Sequence, residues 1–156
     1  MLAAWPGAAG HLAAVRAALL HCLEVGLESR PVLADYAAVV AYLRVLLAHS
    51  PREQIAMLFL DARNQLLAAE VGAPGTIDHA PFYPREILRR ALELGAAGVI
   101  VGHNHPSGDL DPSAADRVVT AELAAGARAL GMVVHDHLIL ARSGWRSMRA
   151  MGLVDP

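Results

Sequence analysis

Leu12, Val15, Leu19 and Leu23 recur at helical spacing through an alanine- and leucine-rich stretch. This predicts a helix over residues 12–28 with those four on its buried face. Arg30-Pro31 breaks it. Asp35 stands at the cap of a second helix, residues 36–48, with Val39, Tyr42, Leu43, Leu46 and Leu47 on its buried side. His49-Ser50-Pro51 closes that helix, and the period then shortens. Residues 54–60 are an apolar run, Asp61-Ala62-Arg63-Asn64 is a turn signal, and residues 65–71 read as a second strand. The pair predicts an antiparallel hairpin.

Residues 72–84 hold three prolines and two glycines and predict a loop, with a short strand around Ile77. Pro84 suits the first position of a third helix over 85–94, stopped by Gly95. Residues 97–102 read as a buried strand and 103–112 as a polar turn segment. Ser113 opens a fourth helix reaching about Leu130, with Gly131 as its stop. Residues 132–140 form a further strand, Ser143-Gly144 a turn, and 145–148 a short final strand. Alternating helices and strands in one span predict an α/β fold, a mixed sheet flanked by helices. The helix after Ser113 should cover the strand before it, and the helix over 12–28 should be peripheral.

Composition narrows the function. A chain of 156 residues makes one domain and can bury a core without staples. Hydrophobic residues are 55% and aromatics 4%, with 31 alanines, so the core is aliphatic and built from small residues. A net charge of −2 gives no basic field and argues against a non-specific nucleic-acid coat. All 13 basic residues are arginine, which excludes a Schiff-base lysine, a phosphate-loop lysine and a Ser–Lys dyad. The single Cys22 excludes an internal disulfide and a multi-cysteine metal site, and fits a reducing compartment. Pro6, Gly7, Gly10 and Arg16 interrupt the apolar N-terminal stretch, which has no basic region before it. The expectation is therefore no targeting segment, no membrane span and a soluble cytoplasmic protein.

The chemistry concentrates after the strand over 97–102. In extended backbone, residues two apart point the same way, so His103 and His105 can place both imidazoles on one side of a strand end. Pro106 and Gly108 then turn the chain, and Asp116, in the first turn of the next helix, can swing back as a third ligand. Two His and one carboxylate leave a fourth tetrahedral position for water, as in catalytic zinc sites. Ser113 and Asp116 equally fit a helix start, with Ser at the N-cap and an acid three residues on. The two readings are compatible.

His-x-His, seven residues, then Ser-x-x-Asp resembles the signature of the JAMM (MPN+) metallopeptidases, here His103, His105, Ser113 and Asp116. The fuller string His103-Asn104-His105-Pro106-Ser107-Gly108-Asp109, with Pro112-Ser113 and Asp116, is similar to the bacterial RadC branch. Phe59-Leu60-Asp61 with Asn64, Gly75-Thr76, Pro84-Arg85-Glu86-Ile87 and Asp136-His137 resemble landmarks of that branch in order. The similarity covers about residues 31–154. It implies a JAMM/MPN+-like domain over 31–156, with a cytidine-deaminase-like three-layer architecture. Residues 1–30 would be an N-terminal helical segment, at most a remnant of the helix–hairpin–helix region that RadC proteins carry.

The resemblance also implies roles. His103, His105 and Asp116 would hold one Zn²⁺ per chain, although Mn²⁺ or Fe²⁺ suit the same ligands. Ser113 would stabilise an oxyanion. A glutamate upstream would act as general base, and Glu70, ending the second strand, is assigned to it. Its other reading is a solvated strand-edge acid. Glu86 is the runner-up, but beside Arg85 in the first turn of a helix it also reads as a dipole-stabilised surface carboxylate.

His135-Asp136-His137 is a second His-x-His without a following ligand. It reads as structural, or as an acceptor for a ligand imidazole N–H. His79 reads as a surface loop residue, Trp5 and Trp145 as packing groups, and Cys22 as a small buried hydrophobe. The arginine clusters Arg85/Arg89/Arg90 and Arg142/Arg146/Arg149 read as solvated faces. The leading function is a zinc-dependent hydrolase of amide or isopeptide bonds acting on a peptide or isopeptide substrate. The family's name carries an association with DNA repair, and a nucleic-acid partner has thin support. Zinc deamination is disfavoured because it uses Cys-x-x-Cys. A non-catalytic, metal-stabilised module for a protein or DNA partner is the alternative.

Overall fold

Short apolar runs punctuated by turn residues build one five-stranded sheet. The computed structural model describes residues 8–28, 31–72 and 83–154. The expected strand around Ile77, together with Gly75-Thr76, His79 and Trp5, lies outside them. β1 (Ile55–Leu60) and β2 (Leu66–Val71) form the expected antiparallel hairpin. Asp61 Oδ1 makes its turn by accepting from the backbone N–H of Arg63 and Gln65, both at 2.8 Å. β3 (Gly98–Asn104) runs antiparallel to β1 and parallel to β4 (Val133–Ala141), and β5 (Gly144–Ser147) pairs with β4. The order is β2-β1-β3-β4-β5.

Helices cover both faces, as expected. α1 (Ala8–Glu28) and α2 (Tyr36–Leu47) share one core with Leu58, Ile100 and Leu138. α3 (Pro84–Leu94) and α4 (Ala114–Ala129) share the other with Met57, Val101 and Ile139. The fold is thus a three-layer α/β sandwich. Every residue of β1 is buried because alternate side chains feed the two cores. The caps follow the sequence: Asp35 accepts from the Ala38 N–H, Pro84 starts α3, and Gly95 ends it at φ 66°.

Three expectations are corrected. The buried face of α1 is Leu20, Leu23 and Leu27, whereas Leu12 and Val15 are 67% and 66% exposed and Leu19 faces solvent too. The helix is apolar nearly all round, so spacing alone does not select a face. Its rotation is set by Arg16, which donates to Val45 O (3.2 Å) and Leu46 O (2.7 Å) near the end of α2. Cys22 is exposed for the same reason. Residues Ala9–Leu27 are long and apolar enough to cross a membrane by length and composition alone, although Arg16 and Glu24 lie among them and Leu20, Leu23 and Leu27 pack on the α2 core. Trp145 is 41% exposed and leans on Tyr36, with ring centroids 6.2 Å apart.

The α2 layer is fastened to the sheet by Asp136. This buried carboxylate accepts from the Tyr36 hydroxyl, from Ser147 Oγ (2.6 Å), and from the backbone N–H of His137 (2.7 Å) and Arg149 (3.0 Å). Burial, reinforced by the Asp136 hydrogen bond, pushes the Tyr36 hydroxyl far above its usual pKa. Asp136→Ala leaves these donors without their acceptor. We expect a loss of roughly 3 kcal/mol or more in urea unfolding; a loss under about 1 kcal/mol, the worth of one ordinary hydrogen bond, would contradict the fastening role.

Candidate metal centre

β3 extends two residues beyond the predicted strand, so His103 belongs to it. Val99 and Val101 point into the α3/α4 core, and strand alternation brings the His103 ring to the same face. Asn104 points the other way and is buried. Its Oδ1 accepts from the Gln54 N–H (2.8 Å), and its Nδ2 donates to Arg52 O (3.0 Å) and Ser50 O (3.3 Å). That clamp fixes the strand end against the α2–β1 connection. The His105 N–H donates to Leu140 O (2.8 Å), and Gly108, at φ 90°, makes the turn back.

Ser113 caps α4 through a reciprocal capping box. Its Oγ accepts from the Asp116 N–H (3.1 Å), and Asp116 Oδ2 accepts from the Ser113 N–H (2.7 Å) and Oγ (2.6 Å). The predicted cap is real, and it holds the Asp116 carboxylate over the strand end. Asp116 Oδ1 lies 3.4 Å from His103 Nε2, and Oδ2 lies 3.5 Å from His105 Nε2. The two Nε2 atoms are 2.7 Å apart. His103, His105 and Asp116 thus offer three ligand atoms within 4.8 Å of one another. Two nitrogens and one oxygen at this spacing fit a divalent transition ion.

Charge follows the geometry. Burial pushes His103 down to about 4, with Asp116 opposing and His105 assisting. The hydrogen bond to Asp116 raises His105 above its ordinary 6.5, against burial. Burial alone would raise Asp116, but His105, His103 and the Ser113 hydrogen bonds together hold it well below the usual carboxylate range. The cluster is a neutral imidazole, a readily protonated one and a fixed carboxylate.

The other candidates fall elsewhere. Glu70 lies on the same face as His103, two strands over and two residues along, roughly 12 Å from Cα to Cα. Its Oε1 accepts from Arg90 Nε (2.8 Å) and Nη2 (2.6 Å) on α3. Glu86 pairs with Arg85 (3.2 Å) and Arg89 (3.1 Å). Ile55, opposite His103, and Met57, opposite Glu70, floor a groove of about 300 Å³ that Glu70 and Glu86 line. His135 is separated from His137 by a bulge: Val99 faces Val134 and Ile100 faces Asp136, so His135 opposes nothing on β3. Its ring fills the space a Cβ at Gly98 would take, on the α2 face, so the second His-x-His does not converge.

Sequence spacing missed Thr120. This buried residue, four after Asp116 on α4, stands 2.7 Å from His137 Nδ1, and His137 Nε2 stands 2.7 Å from His103 Nδ1. His137 is therefore the partner of a ligand imidazole, one of its two predicted readings. A threonine at i+4 from a ligand on an otherwise apolar helix face was the available signal.

A family model described as RadC-like JAB domain matches residues 33–153. A UPF0758 protein of Rhodobacter capsulatus is 50% identical over 125 residues, covering 80% of this chain and 58% of that protein. The chain thus spans little more than half the length of that relative.

Below its raised pKa His105 carries a proton that a cation must displace, whereas burial keeps His103 free of one near neutrality. Zn²⁺ affinity, followed by indicator competition, should fall as pH drops through the raised pKa of His105, by about one log unit per pH unit. A two-proton slope between pH 7 and about 5 would contradict this assignment of charge.

Proposed function

The chain belongs to the family of RadC-like JAB domains, and from that premise we propose that it is a metal-dependent hydrolase of amide or isopeptide bonds. The observation that carries the reading is the convergence of His103, His105 and Asp116 at the carboxyl end of β3, where open α/β sheets bind ligands. Zinc is the ion these ligands suit best. When bound, a divalent ion supplies Lewis-acid polarisation of a carbonyl and a water nucleophile near neutral pH. The other roles belong to this chain's own groups. Ser113 Oγ, held beside the ligand carboxylate, donates to a developing oxyanion once it exchanges Asp116 for it. Glu70 takes a proton from the attacking water and returns it to the leaving amine, on exchanging Arg90 for the reacting group. The substrate is a peptide or isopeptide laid along the groove beside Ile55, and the reducing cytoplasm, which suits the exposed Cys22, is the site of action.

A second reading is a metal-stabilised module that holds a partner without chemistry. It is favoured by the engagement of Glu70 with Arg90 and of the Ser113 hydroxyl with Asp116. A nucleic-acid partner has less to hold, since Arg89, Arg90 and Arg146 are paired with Glu86, Glu93, Glu70 and Asp111.

Two variants decide. His103→Ala should abolish stoichiometric metal, measured by elemental analysis, because two ligands hold zinc poorly. Glu70→Gln should keep the metal and lower turnover on peptide and isopeptide substrates by roughly two to four orders of magnitude. Full turnover in Glu70→Gln with loss in Glu86→Gln would move the base to α3. No effect of either would favour the binding module.

A further inference from the structure

The metal site is backed by a run of hydrogen bonds whose direction is fixed at one end. The Asp116 backbone carbonyl can only accept, and Thr120 Oγ1 stands 2.5 Å from it. The Thr120 hydroxyl has a single proton, and it goes to that carbonyl, as is common for threonine inside helices. A hydroxyl turned away toward His137 would leave two oxygens facing each other at 2.5 Å without a proton, and the remaining neighbour among the described contacts, Met148 Sδ at 3.8 Å, is a weak acceptor. Thr120 Oγ1 therefore faces His137 Nδ1, 2.7 Å away, with a lone pair, and His137 must donate from Nδ1. A neutral imidazole that donates from Nδ1 accepts at Nε2. His137 Nε2 lies 2.7 Å from His103 Nδ1, so His103 donates there in turn. The consequence falls on the far side of the His103 ring, where Nε2 is left with its lone pair directed at His105 and Asp116.

We propose that Thr120 and His137 are positioning residues that fix the tautomer of His103, keeping its Nε2 unprotonated toward the metal site. The inference rests on the metal reading above and deepens it. One residue then sets two ligands, Asp116 offering its side chain directly and its carbonyl, through Thr120 and His137, orienting His103. His105 needs no such relay, because its Nδ1 stands 2.9 Å from the Asp109 carbonyl and must donate to it. Both imidazoles thus present the same nitrogen by independent means. The arrangement also gives a reason for a threonine where valine would fill the same volume. With valine, His137 loses its Nδ1 acceptor in a fully buried place, and the tautomer protonated on Nε2 becomes the better one. His103 must then accept at Nδ1 and carry its proton on Nε2, inside the metal site.

The test uses the full chain, stripped with a chelator and then titrated with Zn²⁺. Nitrogen-15 spectra at pH 8 report the tautomer of each histidine, and indicator competition reports affinity. In the wild type, His103 and His137 should both carry the proton on Nδ1; a proton on Nε2 of either overturns the proposal without any variant. Thr120→Val should move the His103 proton to Nε2 and weaken zinc binding by roughly 10–100-fold, the usual worth of a ligand's hydrogen-bond partner. Thr120→Ser should restore both tautomer and affinity. A Thr120→Val protein with His103 still protonated on Nδ1 or with wild-type affinity, or a Thr120→Ser protein that behaves like it, overturns the relay while leaving the site intact. If the wild type takes up no zinc, the metal reading fails, and the tautomers alone decide for or against the relay.

Discussion

The first turn of α4 has to do two things with one carboxylate. Asp116 closes the capping box that starts the helix, and it faces both imidazoles at the end of β3. A helix start needs acceptors for its orphan N–H groups, and a cation site needs a negative charge. Both needs select an acidic residue three after the cap, so the element that covers the sheet is anchored by a group that also completes the cluster that could hold a metal ion. The rest of the site follows from that placement. Thr120 lies one turn further along the same helix face, and the Pro106–Gly108 turn brings the chain from His105 back to the cap.

The cost of this arrangement is burial of polar groups, and the structure meets it with partners. His103, His137 and Thr120 are almost wholly buried and satisfied by one another, and Asn104 is satisfied by the connection it clamps. Among the described residues no buried side-chain nitrogen or oxygen lacks a partner. Asp136 plays the matching role on the opposite face, gathering donors from α2, β4 and β5. The two faces of β4 thus hold two polar posts, one fastening a helix layer and one backing His103 of the candidate metal centre. The bulge at His135 makes that division, because it breaks the alternation that would otherwise put His135 and His137 side by side.

Much of this was legible in the sequence where a signal was local. The hairpin, the Asp35 and Ser113 caps and the Gly95 stop rest on spacings of a few residues and stand as read, and His103, His105 and Asp116, read from the same kind of spacing, come together as a group that could hold a metal ion. What escaped depends on distance in the chain or on an undirected pattern. α1 is apolar on nearly every side, so only the Arg16 contact with α2 tells which side is buried. The His137–His103 contact spans 34 residues, and the bulge that permits it leaves no mark in the residue pattern. Glu70 ends the second strand as read, but its sharing a face with His103 and its ion pair with Arg90 depend on strand register and on how α3 packs against the hairpin.

The central claim is that a divalent ion sits between His103, His105 and Asp116. X-ray absorption at the zinc edge, on the full chain loaded with Zn²⁺, reads the ligands directly. The account predicts scattering from two imidazoles with the remaining ligands oxygen, and no sulfur, since Cys22 lies on the far side of the sheet, exposed on α1. Sulfur in the first shell, or a single imidazole, would contradict it.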